Sequence, residues 1–374
     1  MVSPVAKKFR VLVVEDSTFM CKVLESIFNA DGQLQVVGRA KDGREAIALA
    51  ESLKPDVITM DLNMPHMDGL QATAQIMGSN PRPIVIVSSE SKEGAASTLK
   101  ALELGAIEFV TKPSSAIDLD MESVKDELLR KVRMAAKVRV VRTASRPAGV
   151  LPSHAPASPA SAARPARPVS AAPSGVRFPV VVLGASTGGP ATIMRMAPAF
   201  TRDFPGAIFL VQHMPASFTS QYALQLAEFT GIRTKEAEAN EAVQPATLYI
   251  CPGGQHLRVT PAGRIQLDAT TGRINGYLPS IDATMESVAA YAGAMSIGVI
   301  LTGMGSDGAR GARSIKAAGG LVLAQDEASS VIFGMPAEAI KTGAVDHVLA
   351  LDDIYAAIEK RVLALARLAP VGAR

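Results

Sequence analysis

FRVLVVEDSTFMCKVLESIF, Phe9 to Phe28, holds two periodicities in one short stretch. The run Val11–Val14 is apolar without alternation, as a strand buried on both faces requires. Two acids, Glu15 and Asp16, close it. Beyond them Met20, Val23, Leu24, Ile27 and Phe28 recur at i, i+3, i+4, i+7 and i+8, the spacing of one helix face. Working outward, LQVVG, DVITM, PIVIV and IEFVT repeat the strand signal up to Thr111, and Ala46, Ile47, Ala50 and Leu53 form a second helical stripe. Strand-helix alternation of this length predicts a doubly wound parallel sheet, whose ligands sit beyond the carboxyl ends of the strands.

Those ends carry chemistry. The first strand runs into Glu15 and Asp16, the third ends in Asp61, the fourth in Ser88 and the fifth in Lys112-Pro113. Crowded carboxylates repel, so a hard divalent cation such as Mg²⁺ is expected among them. Lys112 supplies positive charge for an incoming phosphoryl group, Ser88 a hydroxyl for one of its oxygens, and Asp61 is the candidate acceptor. Either Asp alone reads as a helix or turn cap. His66, inside the acidic loop, reads as an exposed loop histidine.

LVVED, TMDLNMPHMDG, VSS and FVTKP together resemble a response-regulator receiver domain over residues 9–127. That resemblance implies a flavodoxin-like fold and phosphorylation of Asp61 by a partner histidine kinase. It also implies Mg²⁺ held by Glu15, Asp16, Asp61 and the Asn63 carbonyl, and a candidate cis bond at Lys112-Pro113. Glu15 stands where an Asp is commoner.

The chain has 374 residues, 48% hydrophobic and 20% charged, with no Trp and two cysteines, Cys21 and Cys251. That suits two aliphatic α/β cores in a reducing, cytoplasmic setting, without a disulfide framework, a zinc cluster or a membrane span. The net charge of +3 hides a basic stretch from Leu128 to Arg177 that has no Asp or Glu. Within it Thr143–Val176 is Ala, Pro, Ser and scattered Arg, which reads as a flexible linker. The domains are therefore placed at 9–127 and 178–370, with a helix end and linker at 128–177.

The second half is nearly neutral and lacks a basic recognition domain, so nucleic acid is not expected as a partner. PVVVLG, AIFLVQ, ATLYIC, IGVILTG and LVLAQ predict another parallel sheet, Rossmann-like in its winding. GASTGG, after the first run, is neither the dinucleotide fingerprint nor a Walker loop. By the strand-end rule, Ser186, His213 and Asp307 share one crevice, as nucleophile, base and orienting acid. Gly184 permits a tight turn, and Gly188 and Gly189 allow close approach of a substrate. Taken singly, each member also reads as a cap, a packed side chain or a turn residue. His256 follows a strand as well and is barely separable from His213 at this point. His154 in the linker and His347 near the C-terminus have no evident partner. The rival reading is a receiver-coupled nucleotide- or partner-binding module without hydrolysis.

GASTGGP, LVQHMPASFT, YICPGGQHL, SIDATMESVA, ILTGMGSDGARG and IFGMPAEAI are similar to the catalytic domain of the chemotaxis protein-glutamate methylesterases, the CheB family. The resemblance implies Ser186 as nucleophile, His213 as general base, Asp307 as its orienting residue, and Met304 and Thr187 as oxyanion donors, with no cofactor in this domain. His256 becomes structural or substrate-facing. The implied reaction is phosphorylation-regulated hydrolysis of glutamate methyl esters on chemoreceptor cytoplasmic helices, with deamidation of receptor glutamines as a second activity of the family. Chemoreceptors and a chemotaxis-type histidine kinase are the implied partners.

Overall fold

A computed structural model describes residues 8–88, 91–112, 121–138, 176 and 178–368. The apolar runs of the first half are strands β1 (Phe9–Val14), β2 (Leu34–Ala40), β3 (Val57–Asp61), β4 (Ile84–Ser88) and β5 (Glu108–Thr111). Helices α1 (Thr18–Ala30), α2 (Gly43–Leu53), α3 (Gly69–Ser79) and α4 (Lys92–Glu103) alternate with them, and α5 (Met121–Ala135) follows. Every pairing is parallel, in the order β2-β1-β3-β4-β5, so the winding reverses at β1. Side-chain caps fix the helix starts: Ser17 Oγ accepts from Met20 N at 3.3 Å, and Asp42 Oδ1 accepts from Arg44 N and Glu45 N at 2.8 and 2.9 Å. In α1 the fully inward residues are Cys21, Leu24 and Phe28, flanked by half-buried Met20, Val23 and Ile27. Cys21 thus serves as a small apolar residue of the core.

The second half contains β6 (Val180–Ala185), α6 (Gly189–Met196), β7 (Ala207–Gln212), α7 (Ala216–Phe229), β8 (Arg233–Glu236) and β9 (Thr247–Ile250). A hairpin of β10 (His256–Val259) and β11 (Ile265–Asp268) follows, then α8 (Ile281–Ala292), β12 (Ser296–Ile300), α9 (Ala309–Ala317), β13 (Leu321–Gln325), α10 (Met335–Lys341), β14 (His347–Leu349) and α11 (Leu351–Leu368). The parallel sheet runs β14-β13-β12-β6-β7-β9-β8. Its switch point is β6, between β12 and β7, where a crevice opens at the carboxyl ends. Strands β6 and β7 are buried at every position, which is why their sequences read as continuous apolar runs.

The two sheets are joined through side chains as well. Helix α4 packs on α6 and α7. The Phe109 ring of β5 meets Phe218 of α7 with centroids 4.4 Å apart. Leu99, Leu102 and Phe109 share one apolar cluster with Met194, Phe218 and Leu226. The proposed linker, apart from Val176, lies outside the described residues, as do His154 and Pro113 of the Lys112-Pro113 bond.

Candidate active site and acidic centre

Strand ends β1 and β3 bring Glu15, Asp16 and Asp61 together, with one ligand oxygen from each lying within 4.8 Å of the others. Glu15 and Asp61 are buried and Asp16 is exposed. Lys112 Nζ lies 2.9 Å from both Glu15 Oε2 and Asp61 Oδ2, so one ammonium is shared by two carboxylates. Burial pushes the Glu15 carboxyl above its ordinary value despite the Lys112 hydrogen bond, and the Asp61 charge adds to the rise. Burial pulls the Lys112 ammonium down, but Asp61 and Glu15 hold it above its ordinary value. Three acids against one base, one acid open to solvent, is a donor set that suits a hard divalent cation. Asn63, exposed, donates its N–H to Asp61 Oδ1 at 3.4 Å. Ser88 is buried at the end of β4 and donates to Gly94 O at 3.3 Å. His66 is exposed, with φ of 63°.

In the second domain, Ser186 follows β6 directly and His213 follows β7, whose Gln212 pairs with Ala185. The Gln212 amide fastens the two together, donating from Nε2 to Ser186 O at 2.9 Å and to His213 O at 3.2 Å. His213 N donates to Ala185 O at 3.1 Å. From the other side, Ser186 N donates to Thr302 O at 3.0 Å, and Thr302 Oγ1 donates to Thr187 O at 3.0 Å. A Cβ on Gly303 would come within 2.7 Å of Ser186 Cβ, so only glycine lets the β12 loop lie this close to the serine. Three separate strand ends therefore converge.

Asp307 is fully buried and its oxygens are saturated. Oδ2 receives His213 Nε2 at 2.9 Å and Ile281 N at 2.7 Å, while Oδ1 receives Ser280 Oγ at 2.9 Å, Asp282 N at 3.0 Å and Gly308 N at 3.1 Å. The carboxylate thus occupies the N-terminus of α8, an anion site by virtue of its unpaired N–H groups. Burial pushes its pKa up, but the His213 bond and the backbone donors outweigh this and hold it below the usual carboxylate range. A carboxylate only accepts, so His213 carries its proton on Nε2 and presents a lone pair on Nδ1. Nδ1 is buried without a hydrogen-bond partner, and no hydrogen bond joins it to Ser186 among the described residues. The His213–Asp307 contact is therefore formed, and a Ser186–His213 hydrogen bond is not.

Thr187 N–H and Met304 N–H, the two oxyanion candidates, make no hydrogen bond among the described residues, while Thr187 Oγ1 donates to the receiver's Glu108 Oε2 at 2.7 Å. His256 is fully buried. Its Nδ1 accepts from Ser280 N at 3.1 Å and Nε2 donates to Gly272 O at 2.7 Å, which makes it a structural tie holding the turn that seats Asp307. His347 is exposed on an edge strand.

Sequence reasoning missed three residues. Asp282, in the first turn of α8, accepts from Gly308 N at 2.9 Å and Gly311 N at 2.7 Å, so α8 and α9 cap each other through Asp282 and Asp307. Tyr277 stacks on His213, with centroids 4.2 Å apart. Glu108 reaches Thr187 from the other domain. SIDATMES held the only advance signal, an Ser-x-Asp at a helix start.

Residues 181–358 match the family model described as CheB methylesterase, and residues 11–122 match the response regulator receiver domain. A protein-glutamate methylesterase/protein-glutamine glutaminase of Pyrococcus horikoshii is 42% identical over 359 residues, 95% of this chain and 94% of that protein. Its counterpart in Halalkalibacterium halodurans is 40% identical over 356 residues, 95% of this chain and 98% of that protein. The crystal structure of the Thermotoga maritima CheB methylesterase catalytic domain is 39% identical, covering 50% of this chain and 99% of that one with a TM-score of 0.48. The chain belongs to the CheB methylesterase family, with a response-regulator receiver domain ahead of its catalytic domain.

Proposed function

We propose that this protein hydrolyses glutamate methyl esters on the cytoplasmic helices of chemoreceptors, and deamidates glutamines at the same kind of site, under the control of receiver phosphorylation. The observation that carries the reading is the 2.9 Å bond between His213 Nε2 and Asp307 at the sheet's switch point, which leaves Nδ1 without a hydrogen-bond partner. Movement of the imidazole toward Ser186 closes the serine-base contact when substrate arrives, as catalytic hydrogen bonds commonly tighten in the bound complex. Ser186 Oγ then gives its proton to Nδ1 and attacks the ester carbonyl carbon. Thr187 and Met304 N–H groups receive the oxyanion. The C–O bond breaks, methanol leaves with the Nδ1 proton, and the glutamyl group remains on Ser186 Oγ. Water, deprotonated by Nδ1, releases the glutamate and restores the serine; a glutamine substrate differs only in losing ammonia.

In the receiver, Asp61 accepts the phosphoryl group from a histidine kinase, Lys112 pairs with its charge and Ser88 offers a hydroxyl. Glu15, Asp16, Asp61 and the Asn63 carbonyl would hold Mg²⁺, which when bound neutralises charge on the phosphoryl oxygens. The unphosphorylated receiver packs against the catalytic domain through α4, Phe109 and Glu108, restricting a bulky protein substrate, and phosphorylation shifts the population toward an open form. No helix among the described residues is long and apolar enough to cross a membrane; a cytoplasmic location is part of the same proposal, because the receptor helices that serve as substrate lie there.

Release of labelled methanol from methylated receptor membranes tests the reading, using wild type, Ser186→Ala and Asp61→Asn with and without a small phosphodonor. Release lost in Ser186→Ala and insensitive to phosphodonor in Asp61→Asn is the expected result. Release by Ser186→Ala at the wild-type rate sinks it.

A further inference from the structure

We propose that Tyr277 is a positioning residue for the hydrolysis, one side chain that holds both the general base and the oxyanion loop. This rests on the Ser186–His213–Asp307 reading above. The Tyr277 ring lies on the His213 imidazole with centroids 4.2 Å apart and planes 14° from parallel. Its hydroxyl donates to Met304 O at 3.2 Å. Burial pushes the phenol above its ordinary value, so it keeps the proton it donates.

Each contact has a consequence for the chemistry. His213 is gripped at Nε2 by Asp307, which leaves the ring free to pivot about that bond and swing Nδ1 away from the serine. The phenol face closes off that pivot on one side. When Nδ1 takes the serine proton the imidazole becomes a cation, and an aromatic face pressed against a cation stabilises it more than it stabilises the neutral ring. The stack therefore favours the transition state over the resting enzyme. The hydroxyl acts on the second half of the machinery. By fixing Met304 O it fixes the Met304-Gly305 peptide, and so limits how far the preceding Met304 N–H can turn from the oxyanion.

The loop is cut to fit this side chain. Gly305 has φ of 95°, and a Cβ there would sit 1.9 Å from the Tyr277 hydroxyl. Glycine is needed both for the backbone conformation and for room for the phenol. Tyr277 itself is held by a two-way bridge with Ile274, whose N–H and C=O both pair with it at 2.9 Å, and Ser280, three residues on, caps α8. The base, the oxyanion loop and the seat of Asp307 thus form one connected piece.

Two variants of the full chain separate the contacts. Tyr277→Phe keeps the stack and loses the hydroxyl, and Tyr277→Leu loses both. With methylated receptor membranes as substrate, kcat is expected to fall about fivefold in Phe, the worth of one neutral hydrogen bond, and about fiftyfold in Leu, which also loses roughly tenfold from the aromatic face. KM is expected to stay within about twofold in both, since Tyr277 acts on the reacting groups. Proton NMR of His213 supplies the readout independent of rate: its ring protons lie upfield under the phenol face in wild type and Phe, and move downfield in Leu. Folding is checked by thermal unfolding, and Tyr277→Phe is conservative enough to stay folded if Leu does not. A kcat within twofold of wild type in folded Tyr277→Phe and Tyr277→Leu overturns the inference, as does a change confined to KM. If Ser186→Ala also leaves release unchanged, the triad reading has failed first; if Ser186→Ala abolishes release while both Tyr277 variants behave as wild type, only the role of Tyr277 has failed.

Discussion

Replacing Thr187 by Val removes one hydroxyl, keeps the shape, and leaves the Thr187 N–H in place. In the structure that hydroxyl donates to Glu108 Oε2 at 2.7 Å across the domain boundary, in a setting where both residues are buried. Glu108 also pairs with Lys131 at 3.4 Å, and Lys131 pairs with Glu127 at 2.8 Å and donates to Phe109 O at 2.7 Å. Burial pulls the Lys131 ammonium down, yet Glu108 and Glu127 hold it above its ordinary value, so the ammonium keeps its proton in the packed state. A hydrogen bond to a charged group is worth about 1.5–3 kcal/mol. Its loss moves the equilibrium between packed and open receiver by about 10- to 150-fold. In the open form Glu108 is solvated and loses nothing, so the whole effect falls on the packed form. Methanol release without phosphodonor should therefore rise in Thr187→Val toward the level that wild type reaches with it. Glu108→Ala should do the same from the receiver side, and the double variant should gain little more, since both remove one contact. Unchanged basal release in both single variants would refute the argument that this contact holds the receiver down.

Asp307→Asn should lower kcat by about 10³–10⁴, because an amide that donates toward His213 forces the wrong tautomer and takes the lone pair from Nδ1; single-turnover methanol release measures it. Asp282 carries the opposite sign to Asp307 in acid stability. Burial and the Asp307 charge raise its pKa in the folded state, so its ionisation costs stability above that value and the cost disappears as pH falls through it. Asp282→Asn keeps an oxygen for Gly308 N and Gly311 N and should gain stability relative to wild type as pH rises from the acid range to neutrality, by urea unfolding. Asp307, with its folded pKa depressed, contributes stability that is present above the ordinary carboxylate value and lost as pH falls through the folded one. Glu15→Gln removes one of three carboxylates and should weaken Mg²⁺ binding at least tenfold by isothermal titration, since ligand charge count sets affinity for hard cations.

The parts of this molecule legible in the sequence are those whose physics is local. A strand buried on both faces must be apolar throughout, so Val180–Ala185 and Ala207–Gln212 announce themselves, and the first polar residues beyond them fall at the crevice. That logic finds Ser186, His213 and Asp61. It does not find Arg233–Glu236, an edge strand of polar residues, or His347–Leu349, a strand too short to show a period. His256 and His213 look alike in sequence because both follow strands; burial and the capture of both His256 nitrogens separate them only in three dimensions. Tyr277, Asp282 and Glu108 stayed hidden for a related reason. Their partners lie 27, 26 and 79 residues away respectively, on loops whose meeting depends on the finished sheet.

Strand β5 ties the two chemistries together. Its last residue leads into Lys112, the ammonium shared by Glu15 and Asp61, and its first two residues, Glu108 and Phe109, make the contacts with Thr187 and Phe218. A phosphoryl group on Asp61 adds charge to which Lys112 must answer, and the bonds Lys112 makes to the two carboxylates cannot all survive. The strand is too short to absorb a shift at one end without passing some of it to the other, and packed aromatic rings tolerate displacement poorly. Thr187, next to Ser186, the proposed nucleophile, is the far end of that line. Control by phosphorylation then needs no large rearrangement within either domain: a local change at Lys112 has only to loosen the Glu108 and Phe109 contacts, which lie beside the packing of α4 on α6 and α7.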